Sequence, residues 1–148
     1  ETISDFARRA PALAMAGDYE FFARAEWREL ERRYGIALRE QRAMDPSLMY
    51  TAVAQGEVDA ISAYSTDGRI AARGLRVLRD DRGAIPPYDA IVLASPRLAR
   101  EHPGVVRALE RLAGSIDAAR MQRMNHAVDG EGRSPREVAA AFVATLGD

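Results

Sequence analysis

Apolar and polar positions along this chain keep one rhythm up to about residue 93 and another after it. Thr2 and Asp5 stand at capping-box spacing and predict a short helix running to about Ala10. Pro11 ends it. The run Ala12-Leu13-Ala14-Met15-Ala16 is continuously apolar and closes at Gly17-Asp18, as a buried strand does. Trp27, Leu30 and Tyr34 then recur at steps of three and four, which predicts a helix with Gly35 as its stop. From Ile36 to Gln41 apolar and polar residues alternate, the pattern of a half-buried strand. Asp45-Pro46 is a cap residue followed by proline at the first helical position, with Leu48, Met49, Ala52 and Val53 on one face and Gly56 at the end. Val58 to Ala63, Leu75 to Leu78 and Ile91-Val92-Leu93 are expected strands. Beyond them the rhythm is helical. Ser95-Pro96 opens a short helix. Pro103 opens another, whose Val105, Leu109, Leu112 and Ile116 lie on one face, with Met121, Met124 and Val128 continuing the pattern. Ser134-Pro135-Arg136-Glu137 is a cap, an N1 proline and a capping-box Glu, and Val138, Phe142 and Leu146 give the last helix a buried side.

Strands alternating with helices, followed by helices alone, predict an α/β layer fold with a largely parallel sheet. The Gly- and Pro-bearing segment Arg79 to Asp89 is the expected lobe boundary. With 148 residues, 47% hydrophobic and 29% charged, the chain can bury a real core. Its net charge of −1 argues against a bulk electrostatic grip on nucleic acid or on an anionic membrane. All 21 basic residues are arginine, which reads first as genome base composition. The absence of cysteine excludes thiol catalysis, disulfides and cysteine-ligated zinc. No apolar run approaches the roughly 20 residues of a membrane helix.

A catalytic centre is not expected. There is no G-x-S-x-G turn and no Gly-rich phosphate loop. His102 and His126 alone do not make a metal site, and Asp129-Gly130-Glu131 lacks the ligands of a calcium loop. Asp80-Asp81 reads as a solvated turn. No cofactor and no metal are expected, and the chain is not read as an enzyme.

Tyr64 ends an apolar run and opens the polar turn Ser65-Thr66-Asp67-Gly68, at the C-terminal end of an expected strand, where open α/β sheets bind ligands. Tyr88 follows Pro86-Pro87, which fixes the backbone ahead of its ring. If the two share a site, they suit a cation that cannot donate hydrogen bonds, such as a quaternary ammonium. Arg24, after Tyr19-Glu20-Phe21-Phe22, could clamp a carboxylate.

Taken together, Glu20-Phe21 with Arg24, Met44-Asp45, Tyr64-Ser65-Thr66-Asp67-Gly68-Arg69-Ile70, Asp80-Asp81 and Pro86-Pro87-Tyr88-Asp89 resemble the substrate-binding component of ABC importers for glycine betaine, choline, carnitine and related osmoprotectants. The resemblance implies a periplasmic-binding-protein-like type II fold. This chain would be the second α/β lobe, 1–85, plus the hinge strand and returning C-terminal helices of the first, 86–148, within a longer parent. It implies that Tyr64 and Tyr88 box a trimethylammonium, with Arg24 pairing a carboxylate and Ser65 and Thr66 also at the ligand. It further implies ABC permease subunits as partners and an extracytoplasmic location. The chain departs from the family's pattern at Glu26-Trp27, where Asp-Gly usually follows the arginine, and at Ser95, where an arginine is common. A truncated first lobe would leave apolar surface that favours self-association. A sensory or structural domain reusing the fold without transport stays open as the alternative.

Overall fold

The computed structural model describes residues 1–146. Its chain divides into two compact units, residues 1–65 with 73–87 and residues 66–72 with 88 onward.

In the first unit, helix α1 (Ile3–Arg9) starts at the expected capping box: the Asp5 N–H donates to Thr2 Oγ1 and the Thr2 N–H donates to Asp5 Oδ2. A 3₁₀ turn at Ala10–Ala12 leads into β1 (Ala14–Gly17). Helix α2 (Ala25–Tyr34) stops at Gly35, whose φ of 64° is the left-handed conformation that favours glycine. β2 (Glu40–Ala43), α3 (Pro46–Ala54) and β3 (Ala60–Ile61) follow, with the Ser47 N–H donating to the Asp45 carboxylate at the start of α3. The strands form a parallel sheet in the order β2-β1-β3.

The continuous apolar run of β1 follows from its central place in that sheet. Successive side chains point to opposite faces, and both faces are covered. Met15 joins Ile3, Trp27, Leu30, Tyr34 and Ile36 on one side. Ala14 and Ala16 join Met49, Ala52 and Val58 on the other.

Four expected strands differ from the structure. The second begins at Glu40 and not at Ile36, because Ile36 is buried in the first cluster and the Arg39 N–H donates to Leu13 O (3.0 Å) just ahead of the ladder. Val58 to Ala63 is shortened to the two residues of β3, Ala60–Ile61. Leu75 to Leu78 form no strand; the neighbouring Arg79 makes a single parallel bridge to Thr2. Ile91, Val92 and Leu93 are not a strand either. They are 74%, 65% and 87% exposed, and no strand among the described residues pairs with them to complete a ladder.

Asp80 is also less solvated than its sequence context suggested. The Tyr34 hydroxyl donates to its carboxylate, as does the Ile85 N–H (2.8 Å), and the Arg82 N–H donates to the Tyr34 oxygen (2.7 Å). Arg33 Nη1 donates to the carbonyls of Arg82 (2.9 Å) and Gly83 (2.8 Å), and the Ser4 N–H donates to Asp81 (3.2 Å). This turn therefore latches the end of the unit onto α1 and α2. Burial pushes the Asp80 carboxyl up, but the Ile85 N–H and the Tyr34 hydroxyl outweigh it and hold the group down at about 2.

The second unit holds α4 (Arg69–Ala72), α5 (Pro96–Glu101), α6 (Pro103–Glu110), α7 (Ala118–Asp129) and α8 (Pro135–Ala144). Ser95 caps α5, Asp117 caps α7, and Ser134 with Glu137 makes the capping box of α8. The apolar stripe from Val105 to Val128 is interrupted: α6 ends at Glu110, Leu112 and Ile116 lie in the connection, where Gly114 takes a φ of 70°, and Asp117 begins a new helix. α4 packs against α7, where Asn125 Nδ2 donates to Thr66 O (2.8 Å). No helix among the described residues is long and apolar enough to cross a membrane.

The latch gives a direct test. Tyr34→Phe removes the hydroxyl and is expected to cost about 1–2 kcal/mol at neutral pH in urea unfolding. Asp80 is depressed from 3.8 to about 2 in the folded chain, so its contribution is complete above the unfolded value and lost as pH falls toward the folded one. The difference between Tyr34→Phe and wild type should shrink over that window. Equal stabilities at neutral pH would show that the latch contributes nothing.

Candidate functional site

All three strands are parallel, so their C-terminal ends leave the sheet at the same edge. β1 delivers Asp18-Tyr19-Glu20 there, β2 delivers Met44-Asp45, and β3 delivers Ser62 to Ser65. Ladder contacts continue just past the strands, from Met44 N to Gly17 O (3.0 Å) and from Ser62 N to Ala16 O (2.9 Å).

The turn after β1 is held from several sides. The Phe21 N–H donates to Asp18 O (3.1 Å), and the Glu20 N–H donates to Asp18 Oδ1 (2.9 Å). Phe21, Phe22 and Trp27 meet edge-to-face or tilted, with ring centroids 5.1–5.5 Å apart. Gly17 is required here by space, since a Cβ would stand 2.7 Å from Phe21 Cδ1.

Arg24 occupies the position just before α2, where the chain is extended. Its guanidinium meets Asp18 at 3.4 Å and Glu20 at 3.5 Å. The Asp18 carboxylate chiefly raises the Arg24 pKa; burial opposes it, and Glu20 and then Tyr64 add to the rise. Tyr64 is therefore within electrostatic reach of Arg24. Tyr64 is 74% exposed, and Ser65 beside it is exposed as well. The structure thus places Arg24, Tyr64 and Ser65 in one unit, at one sheet edge.

Thr66 and Tyr88 belong to the second unit. Thr66 is half-buried and its carbonyl accepts from Asn125. Tyr88, after Pro86-Pro87, is 66% exposed. The rest of the Tyr64 motif is structural. The Asp67 carboxylate accepts from the Arg69 N–H (2.9 Å) and pairs with the Arg69 guanidinium (2.7 Å), and Gly68 lies against the backbone of α7. An open groove of about 360 Å³ between α7 and α8, lined by Arg120, Met124 and Phe142 among others, contains none of the candidate residues.

Asp18 and Glu20 are the ion-pair partners of Arg24, a role not assigned to them from the sequence. Their signal was the Gly17-Asp18 stop after a buried strand, the position at which an α/β sheet presents side chains to a ligand. Among the described residues, no cluster of His, Asp and Glu could hold a metal ion.

A family profile described as the substrate-binding domain of an ABC-type glycine betaine transport system matches residues 1–145. The chain is 32% identical over 144 residues to the carnitine transport binding protein OpuCC of Listeria monocytogenes, covering 96% of this chain and 47% of that protein. It is 30% identical over 148 residues to the ergothioneine transport permease/ergothioneine binding protein EgtU of Helicobacter pylori, covering 99% of this chain and 27% of that one. A solved glycine betaine/carnitine/choline ABC transporter structure superposes with a TM-score of 0.88 at 36% identity, over 98% of this chain and 54% of its own. The chain thus spans about half the length of OpuCC and of the solved chain, and less of EgtU. The likeness confirms the expected periplasmic-binding-protein-like fold.

Gly68 offers a test of the motif's structural half. A Cβ there would lie 2.4 Å from the His126 backbone nitrogen, which cannot swing aside as a side chain can. Gly68→Ala is expected to destabilise the chain by about 1–3 kcal/mol, measured by thermal unfolding. An unchanged melting temperature would contradict the close approach of α4 to α7.

Proposed function

The chain belongs to the family of substrate-binding domains of ABC-type glycine betaine transport systems, and on that premise we propose that it binds a quaternary-ammonium solute of the glycine betaine, choline or carnitine type. The observation that carries this reading is the arrival of Arg24, ahead of α2, and of Tyr64, after β3, at the C-terminal edge of one parallel sheet. A quaternary ammonium has no N–H to donate, so the face of an aromatic ring is its natural partner, worth about 0.5–2 kcal/mol per ring. A guanidinium is the natural partner of a carboxylate. Carnitine and ergothioneine, named for two of the relatives, both carry a trimethylammonium and a carboxylate. Arg24 is supported in the second role by its exposure and by ion pairs of 3.4 and 3.5 Å, long enough to be exchanged for a ligand carboxylate.

In this reading Tyr64 is a wall of an aromatic cage. Tyr88, Ser65 and Thr66 are further proposed ligand contacts, and their support is the family resemblance of their motifs together with the exposure of Tyr88. The loaded domain would deliver its solute to ABC permease subunits from outside the cytoplasm. The exposed run Ile91-Val92-Leu93 supports self-association of this chain when it stands alone.

Calorimetry on the chain in its natural full-length context tests the assignment. Tyr64→Ala is expected to weaken glycine betaine binding several-fold more than Tyr64→Phe, and Arg24→Ala to weaken glycine betaine more than choline. Equal effects of the two Tyr64 changes would remove the cage role, and equal losses for the two ligands would remove Arg24 from the carboxylate role.

A further inference from the structure

Tyr19 has no role in the fold that its surroundings explain. The residue is 72% exposed, although it sits on a turn held by hydrogen bonds from the Glu20 and Phe21 N–H groups to Asp18. The register of the sheet shows where that turn points. Ala16 of β1 is paired with Ile61 of β3. Tyr19 is three residues beyond the first of these and Tyr64 three residues beyond the second, so the two tyrosines leave neighbouring strands at matching depth. Neighbouring strands stand about 4.8 Å apart. A second observation links the same positions. Arg24 pairs with Asp18 and Glu20, the residues on either side of Tyr19, and is within electrostatic reach of Tyr64.

We infer that Tyr19 is a further ligand-contacting ring of this edge, standing beside Tyr64 to face a trimethylammonium group. This rests on the quaternary-ammonium reading above and adds to it a wall supplied by β1. The turn is suited to the task. Gly17, the Asp18 hydrogen bonds and the clustered Phe21, Phe22 and Trp27 fix the backbone without using the Tyr19 ring, so ordering it on a ligand costs little entropy.

The test uses the chain in its natural full-length context, titrated in a calorimeter with tetramethylammonium chloride and with glycine betaine. Tyr19→Ala and Tyr19→Leu are both expected to weaken binding of both probes by about 2- to 30-fold, the range a single ring contributes. Tyr19→Phe, which keeps the ring face, is expected to stay within about twofold of wild type. Melting temperatures of all three should match wild type, because the side chain is exposed. Wild-type affinity in Tyr19→Ala alongside weakened binding in Tyr64→Ala would overturn the Tyr19 assignment alone. Wild-type affinity in both variants, or no binding of either probe by the wild type, would overturn the site reading and the Tyr19 assignment with it.

Discussion

The candidate site depends on the parallel pairing of β1 with its two neighbours. A parallel sheet sends every strand out through the same edge, so residues far apart in sequence arrive together: Asp18 and Tyr19 after β1, Asp45 after β2, Tyr64 and Ser65 after β3. What fixes the sheet is burial of β1 on both faces, with Met15 to one side and Ala14 and Ala16 to the other. The small alanines let α3 and its Met49 lie close on the second face. Without that two-sided burial, a strand of this length would have little to hold its register.

The edge is polar and exposed while the layers beneath it are apolar and closed, which is how a rigid scaffold carries a binding surface. Arg24 illustrates the connection. It is presented at the start of α2, whose Trp27, Leu30 and Tyr34 anchor the helix in the core, and the same Tyr34 holds the Asp80 latch. Packing and site chemistry are therefore coupled through one helix.

Local signals in the sequence were the most legible part of this fold. The Thr2–Asp5 and Ser134–Glu137 capping boxes, the Asp45-Pro46 start and the Gly35 stop all appear where the residues place them, because each is decided within a single helical turn. Strand ends were less legible. Whether an apolar run becomes a strand depends on a partner elsewhere in the chain, and Ile91-Val92-Leu93 finds none among the described residues. The shift of β2 to Glu40 has the same origin, since Ile36 is claimed by the core before the ladder begins. Asp80 was misjudged because its partners, Tyr34 and Ile85, come together only in the fold. Tyr64 and Arg24 are singled out by their motifs, and both come to the same sheet edge. The partnership of Asp18 with Arg24 is not legible in the sequence, because it forms only when the turn after β1 folds back toward the start of α2.

The proposed role of this edge is to receive a trimethylammonium compound through Tyr64 and Arg24. A crystal structure of the chain in its natural full-length context with glycine betaine tests it most directly. The ligand nitrogen is expected within about 6 Å of the Tyr64 ring centre, with the carboxylate at the Arg24 guanidinium. Glycine betaine bound with neither Tyr64 nor Arg24 in contact would contradict it.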